Sequence, residues 1–186
     1  TQVRSLGKPQ ALVSASGHHG SAGWSALAIT ALGKPEHHYR EGAASLTLGS
    51  GFFRPDSRPS RDCSVLLARH QLQCAAGQLR WLDLMAGCGI RSLRWGLEAV
   101  QAKPERVELW GNDGDPDRLP YLENNLSDLP SPVRISSQAA EMLLARAYLE
   151  GRFFDLIDLD AFGAPGALIQ PVLQVLRFDG ILLLAS

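Results

Sequence analysis

From Val65 onward two hydrophobic periods alternate along the chain. Stretches with apolar residues three or four apart give way to short, mostly apolar runs bounded by Gly, Pro, Asn or Asp. The first pattern predicts helices over residues 62–72, 90–100, 117–126, 139–150 and 167–176. The second predicts strands over 79–84, 107–110, 133–136, 154–159 and 181–185. In the helix beginning at Ile90, residues Ile90, Leu93, Leu97 and Val100 form one stripe, and Arg91, Arg94 and Glu98 fall outside it. Arg94 is expected to pair with Glu98 at i+4 and to do nothing more. Strands alternating with helices imply an α/β fold with a parallel sheet covered on both faces.

Residues 1–38 break this pattern. Residues 11–33 are rich in Ala, Ser and Gly with no sustained period, which suggests a loosely ordered leader, with a short helix around 24–32. The regular domain is expected to occupy 39–186. His18-His19 and His37-His38 do not read as metal ligands, because adjacent histidines point in different directions and no acid or thiol stands at a ligand spacing. No metal is expected.

Composition narrows the class. With 186 residues, 45% hydrophobic and 20% charged, the chain is one soluble domain's worth of sequence. A net charge of −1 gives no bulk signature for nucleic acid, though a local stripe would suffice. Cys63, Cys74 and Cys88 form no Cys-x-x-Cys pair, which fits a reducing, cytoplasmic setting. No apolar run has transmembrane length and no signal pattern opens the chain. The chain starts at Thr1 and stops inside the apolar run 181–186, so a piece of a longer protein is expected.

The first predicted strand runs into Asp83-Leu84-Met85-Ala86-Gly87-Cys88-Gly89, where the next helix begins. Gly87 and Gly89 permit a tight turn and a close backbone approach to a ligand. A dinucleotide loop would carry a third glycine where Ser92 stands, and Gly-x-Gly alone is weak. Asp83 would repel a diphosphate and welcome a cation, as S-adenosylmethionine with its sulfonium and ammonium would supply. Asp113, at the end of the second strand, is placed to take both ribose hydroxyls of an adenosine. The plain alternatives are a helix cap for Asp83 and a turn residue for Asp113, with Asp115 a solvated turn neighbour. Cys88 reads as a small residue packed in the turn rather than a nucleophile. Arg91 either meets the donor's carboxylate or stays structural.

Residues 153–163, Phe-Phe-Asp-Leu-Ile-Asp-Leu-Asp-Ala-Phe-Gly, climb to a strand-end carboxylate, Asp160, followed by the aromatic Phe162. An acid at a strand's carboxyl end sits where α/β sheets bind ligands. An aromatic two residues later offers a flat face to a flat substrate.

Five segments together resemble the tRNA (guanine-26 N2)-dimethyltransferase family, over residues 39–186. They are Arg40-Glu41-Gly42; Phe52-Phe53-Arg54-Pro55 with Ser60-Arg61-Asp62; the glycine turn through Ile90-Arg91-Ser92-Leu93-Arg94; Asn112-Asp113; and Ile157-Asp158-Leu159-Asp160-Ala161-Phe162-Gly163. The resemblance implies a Rossmann-like class I methyltransferase sheet, truncated after its fifth strand and without the C-terminal tRNA-binding domain. It implies S-adenosylmethionine as methyl donor, tRNA as partner, and donor contacts from Arg61, Arg91 and Asp113. Gln138, Ala139 and Ala140 would flank the adenine, and Asp160 and Phe162 would face the guanine. The chain departs from the family pattern at Ala161, where proline is usual, at Arg54, where asparagine is usual, and at Gln138-Ala139, which lacks the usual acid. The rival readings are another RNA amine as acceptor, such as a ribosomal RNA guanine, a binding module without turnover, and a nicotinamide dehydrogenase.

Overall fold

A computed structural model describes residues 37–49, 51–101, 103–161, 163 and 165–185. The expected leader, with His18 and His19, falls in the part outside these residues, and so do Phe162 and Ser186. His38, expected in the leader, instead opens the first strand.

Five parallel strands form the main sheet in the order β5-β4-β3-β6-β7. They are β3 (Leu79–Asp83), β4 (Val107–Asn112), β5 (Val133–Ser136), β6 (Phe154–Asp160) and β7 (Leu176–Ala185). Five helices alternate with them: α1 (Arg58–Cys74), α2 (Ile90–Arg94), α3 (Leu119–Leu126), α4 (Ala140–Leu149) and α5 (Gly166–Val175). The strand order reverses at β3, which lies between β4 and β6. Such a switch point opens a crevice at the carboxyl ends of the strands.

Each sheet face has its own core. Trp81, Leu109 and Leu156 pack against Val65, Leu93, Trp95 and Leu122 on one side. Leu82, Trp110, Ile157 and Leu159 pack against Leu143, Leu144, Leu168 and Val172 on the other. Fully burying one such side chain stabilises the fold by about 1.5–3 kcal/mol. Alternation along β3 and β6 therefore places Asp83, Asp158 and Asp160 on the α1/α2 face, in step with Trp81 and Leu156.

Two elements differ from the sequence expectation. A two-stranded antiparallel hairpin, β1 (His38–Glu41) and β2 (Ala44–Thr47), precedes the sheet and was not anticipated. The helix expected over 90–100 is α-helical only to Arg94 and continues as a π-turn over Trp95–Val100. The wider winding rotates the stripe: Trp95, Gly96, Ala99 and Val100 are buried, and Leu97 is only partly so. Arg91 and Arg94, expected outside the apolar stripe, are each 4% exposed.

Candidate active site

A cavity of about 400 Å³ opens at the carboxyl ends of β3, β4 and β6. Its walls come from the strand-end acids Asp83, Asp113 and Asp160, from Met85, Gly87 and Cys88 of the turn, and from Ile90 and Arg91 of α2. Phe52, Phe53 and Arg54 cover one side, with Ser57 and Arg61 beyond them. Asp115 and Arg118 also line the cavity, with Arg118 packed against Gly51 beside Phe52.

The turn is held from several directions. Asp83 Oδ2 accepts from the Ser92 backbone N–H (3.2 Å) and hydroxyl (2.9 Å). Asp83 thus caps the start of α2, as the plain alternative had it, while also lining the cavity. Asp113 Oδ2 accepts from Gly87 N–H (2.7 Å), and its Oδ1 accepts from Asp115 N–H (2.9 Å). Asp115 caps the short 3-10 turn that follows, accepting from Asp117 N–H. Asn112, fully buried, donates to the carbonyls of Leu84 and Gln138 and accepts from Ser136 Oγ and Gln138 N–H. Asn125 of α3 donates to the Cys88 and Thr47 carbonyls, tying the turn to the hairpin. Burial pushes the Cys88 thiol up to about 11, in keeping with a packing role.

Arg91 is the hub on the acceptor side. Its Nη1 lies 3.2 Å from Asp158, and its Nη2 donates to Asp160 (2.9 Å) and Ser60 Oγ (3.2 Å). Desolvation works to depress Arg91, but Asp158, Asp160 and Asp83 outweigh it, and its guanidinium is held above its ordinary value. Burial pushes the Asp83 carboxyl up to about 6, with Asp160 adding to the rise against Arg91 and the Ser92 hydrogen bonds. Burial likewise pushes Asp158 well above the usual carboxylate range against the pull of Arg91, with Asp83 and Asp160 adding to it.

A second network anchors the hairpin. Glu41, 2% exposed, accepts from Arg61 Nε and Nη2, from Arg94 Nη1 and from the Tyr39 hydroxyl. Burial opposes its ionisation, yet the Arg61, Tyr39 and Arg94 hydrogen bonds bring it down to about 2. Arg61 also donates to the Arg54 and Pro55 carbonyls, so four hydrogen bonds engage four of its five N–H donors. It fixes the segment that carries Phe53 and Arg54. Arg94 pairs with Glu98, but contrary to expectation it also pairs with Glu41 and Asp62.

Of the residues singled out in the sequence, Arg61, Asp83, Gly87, Arg91, Asp113 and Asp160 reach the cavity. Gly89 stands just behind it, packed on Leu122. Gln138 is half-buried beside Asn112, Ala139 is exposed and Ala140 lies in the core under Leu143, and none of the three lines the cavity. Asp158 and Glu41 carried no individual role in the sequence reading. Asp158 was detectable as the i−2 neighbour of Asp160, since such residues share a strand face. Among the described residues no group of three or more His, Cys, Asp or Glu is placed to hold a metal, and no helix is long and apolar enough to cross a membrane.

Known proteins agree with this architecture. The chain superposes on a SAM-dependent methyltransferase from Agrobacterium tumefaciens with a TM-score of 0.62, at 16% identity, covering 82% of this chain and 52% of that one. It superposes on P. horikoshii TYW2, solved in complex with MeSAdo, with a TM-score of 0.59 at 14% identity, covering 79% and 50%. These likenesses show that the chain shares the fold of those two proteins. In sequence it is 32% identical over 133 residues to a tRNA (guanine(26)-N(2))-dimethyltransferase of Methanopyrus kandleri, covering 70% of this chain and 32% of the relative. A Thermococcus kodakarensis protein of the same name is 29% identical over 147 residues, covering 70% and 36%. The human one is 30% identical over 111 residues, covering 59% and 16%. The chain thus spans about a third of the length of the two archaeal relatives. The profile of one family runs through hairpin, glycine turn and β6 alike, matching residues 40–186, and the chain belongs to the N2,N2-dimethylguanosine tRNA methyltransferases.

Proposed function

We propose that the protein transfers methyl from S-adenosylmethionine to the exocyclic N2 of a guanine in tRNA, at the position 26 that names its relatives, once and then a second time. The observation that carries this reading is the single cavity onto which the glycine turn, the strand-end acids Asp83 and Asp113, and Asp160 all open. Its setting would be the cytoplasm, in keeping with three free cysteines.

The residues present suit the donor. A Cβ built on Gly87 would meet nothing within 4 Å, so the turn leaves its cavity side open. Each oxygen of Asp113 accepts a backbone N–H and keeps accepting capacity for a ribose hydroxyl. Asp83 and its acidic neighbours favour a cation over a diphosphate, which sets the nicotinamide reading aside. When bound, S-adenosylmethionine supplies an electrophilic methyl group on a sulfonium.

Asp160 has the acceptor role. The guanine N2 lone pair is delocalised into the ring, so the amine is a weak nucleophile until a hydrogen-bond acceptor draws on its N–H groups. The Asp160 side chain is 42% exposed at the cavity and is steadied from behind by Arg91. Its carboxylate accepts from the amine and gains in strength as positive charge develops on nitrogen, which is the differential binding that catalysis requires. Phe162 is proposed to stack on the base. Unstacking a guanine from folded RNA costs roughly a few kcal/mol, and positioning lowers the remaining barrier.

Replacing Asp160→Asn keeps the shape and removes the charge. Tritiated methyl incorporation into tRNA is expected to fall about 100-fold or more, while calorimetric affinity for S-adenosylmethionine changes little. Equal loss of both would place Asp160 in the donor site instead. Incorporation by the wild type into ribosomal RNA but not tRNA would reassign the acceptor.

A further inference from the structure

Asp83 and Asp158 are register partners on the adjacent parallel strands β3 and β6. Neighbouring strands run about 4.8 Å apart and paired residues face the same way, so two carboxylates stand side by side. Both are buried, at 2% and 1% exposure. Asp83 has the Ser92 donors, whereas among the described residues neither oxygen of Asp158 has a hydrogen-bond partner. The 3.2 Å approach of Arg91 Nη1 to Asp158 is a charge contact without hydrogen-bond alignment. The other groups facing the pair are Asp160, farther along β6, and the Cys88 thiol, which remains protonated. One guanidinium therefore stands against three carboxylates.

Two like charges this close in a buried site resist ionising together, and a pair so placed titrates as a unit. Burial pushes both acids upward, Asp83 to about 6 and Asp158 further. A positive charge arriving nearby reverses the preference.

We propose that the Asp83–Asp158 pair holds one proton in the donor-free protein at neutral pH and gives it up to solvent as a cationic nucleoside donor binds. The proposal rests on the donor reading above and adds Asp158 to it as a positioning residue that matches the donor's charge without touching the acceptor base. By linkage, donor affinity rises with pH across the range where the pair titrates.

The test is calorimetric titration with S-adenosylmethionine at neutral pH in phosphate and in Tris, whose ionisation heats differ widely. The two heats are expected to differ by the equivalent of about one proton released per donor bound. S-adenosylhomocysteine, which lacks the sulfonium charge, should release clearly less. Asp158→Asn should bind S-adenosylmethionine with the release abolished. Should that variant not fold, the comparison of buffers and of the two nucleosides on the wild type decides the matter alone. Tight binding of S-adenosylmethionine with equal heats in both buffers would overturn the proposal and leave the donor reading standing. No binding of either nucleoside would overturn the donor reading, and this proposal with it.

Discussion

Gly87 and Gly89 both have positive φ, +57° and +83°, yet they need glycine for different reasons. Beside Gly87 there is open space, whereas a Cβ on Gly89 would come within 2.7 Å of Leu122 Cδ1. Gly89→Ala is therefore expected to destabilise the fold by roughly 2–4 kcal/mol, backbone strain and overpacking together. Gly87→Ala should lower stability by only about 1–2 kcal/mol and weaken S-adenosylmethionine binding through the methyl group it adds to the cavity wall. Urea unfolding and calorimetry on the two variants check this, and the opposite ranking in either assay would refute it. The Gly-x-Gly spacing was legible in the sequence, but this division was not, because Leu122 belongs to a different helix. Asp160 was legible for the same reason Asp158 was overlooked: one ends its strand beside a breaker, and the other sits inside an apolar run. Arg91 stood out in the sequence as either a donor contact or a structural residue, and its three partners on β6 and α1 were not legible there.

Among the elements, the hairpin shows best what apolar periodicity omits. Its first strand reads His-Tyr-Arg-Glu, and the residue it buries most deeply is the acid Glu41. A polar residue at a buried position carries no hydrophobic signal, so only the docked fold reveals the strand. Charge helps to hold it, since Glu41 lies between Arg61 of α1 and Arg94 of α2, alongside the core residues Ala44 and Leu46 of β2 and the Asn125 hydrogen bonds to Thr47. Glu41→Gln leaves two buried guanidiniums without that partner and should lower stability by roughly 3 kcal/mol, read from denaturant unfolding at neutral pH. A loss below a few tenths of a kcal/mol would mean the hairpin is held by its apolar contacts alone. The π-turn after α2 was likewise hidden, since a 3.6-residue stripe fits residues 90–100 until the wider winding brings Trp95 inward. The strands of the sheet were read correctly to within a few residues, apart from the longer start of β7, because apolar runs between breakers are the clearest signal an α/β chain offers.

At the scale of the whole molecule, two acidic sites pull stability in opposite directions with pH. Glu41 falls from 4.5 to about 2 on folding, so its contribution is full above 4.5 and is lost as pH drops toward 2. Asp83 rises from 3.8 to about 6, so its contribution is full below 3.8 and is lost as pH climbs through 6, with Asp158 acting in the same direction. Melting temperatures of the wild type and Asp158→Asn, measured without donor, should show the variant gaining relative to the wild type as pH rises through this upper window. A constant difference between the two would contradict the assignment. The strand order has a consequence for how the chain comes together. Asp83 leaves the ribosome on β3, but the strand that sets Asp158 beside it is made only after β4 and β5 and the helices between them. Until β6 pairs with β3, Asp83 has no Asp158 beside it, and the penalty for crowding the two acids falls on one event, the docking of β6. Phe154, Leu156, Ile157 and Leu159, none more than 1% exposed, arrive in that same event. The most continuously buried strand of the sheet is thus the one that carries the unfavourable charges to their place.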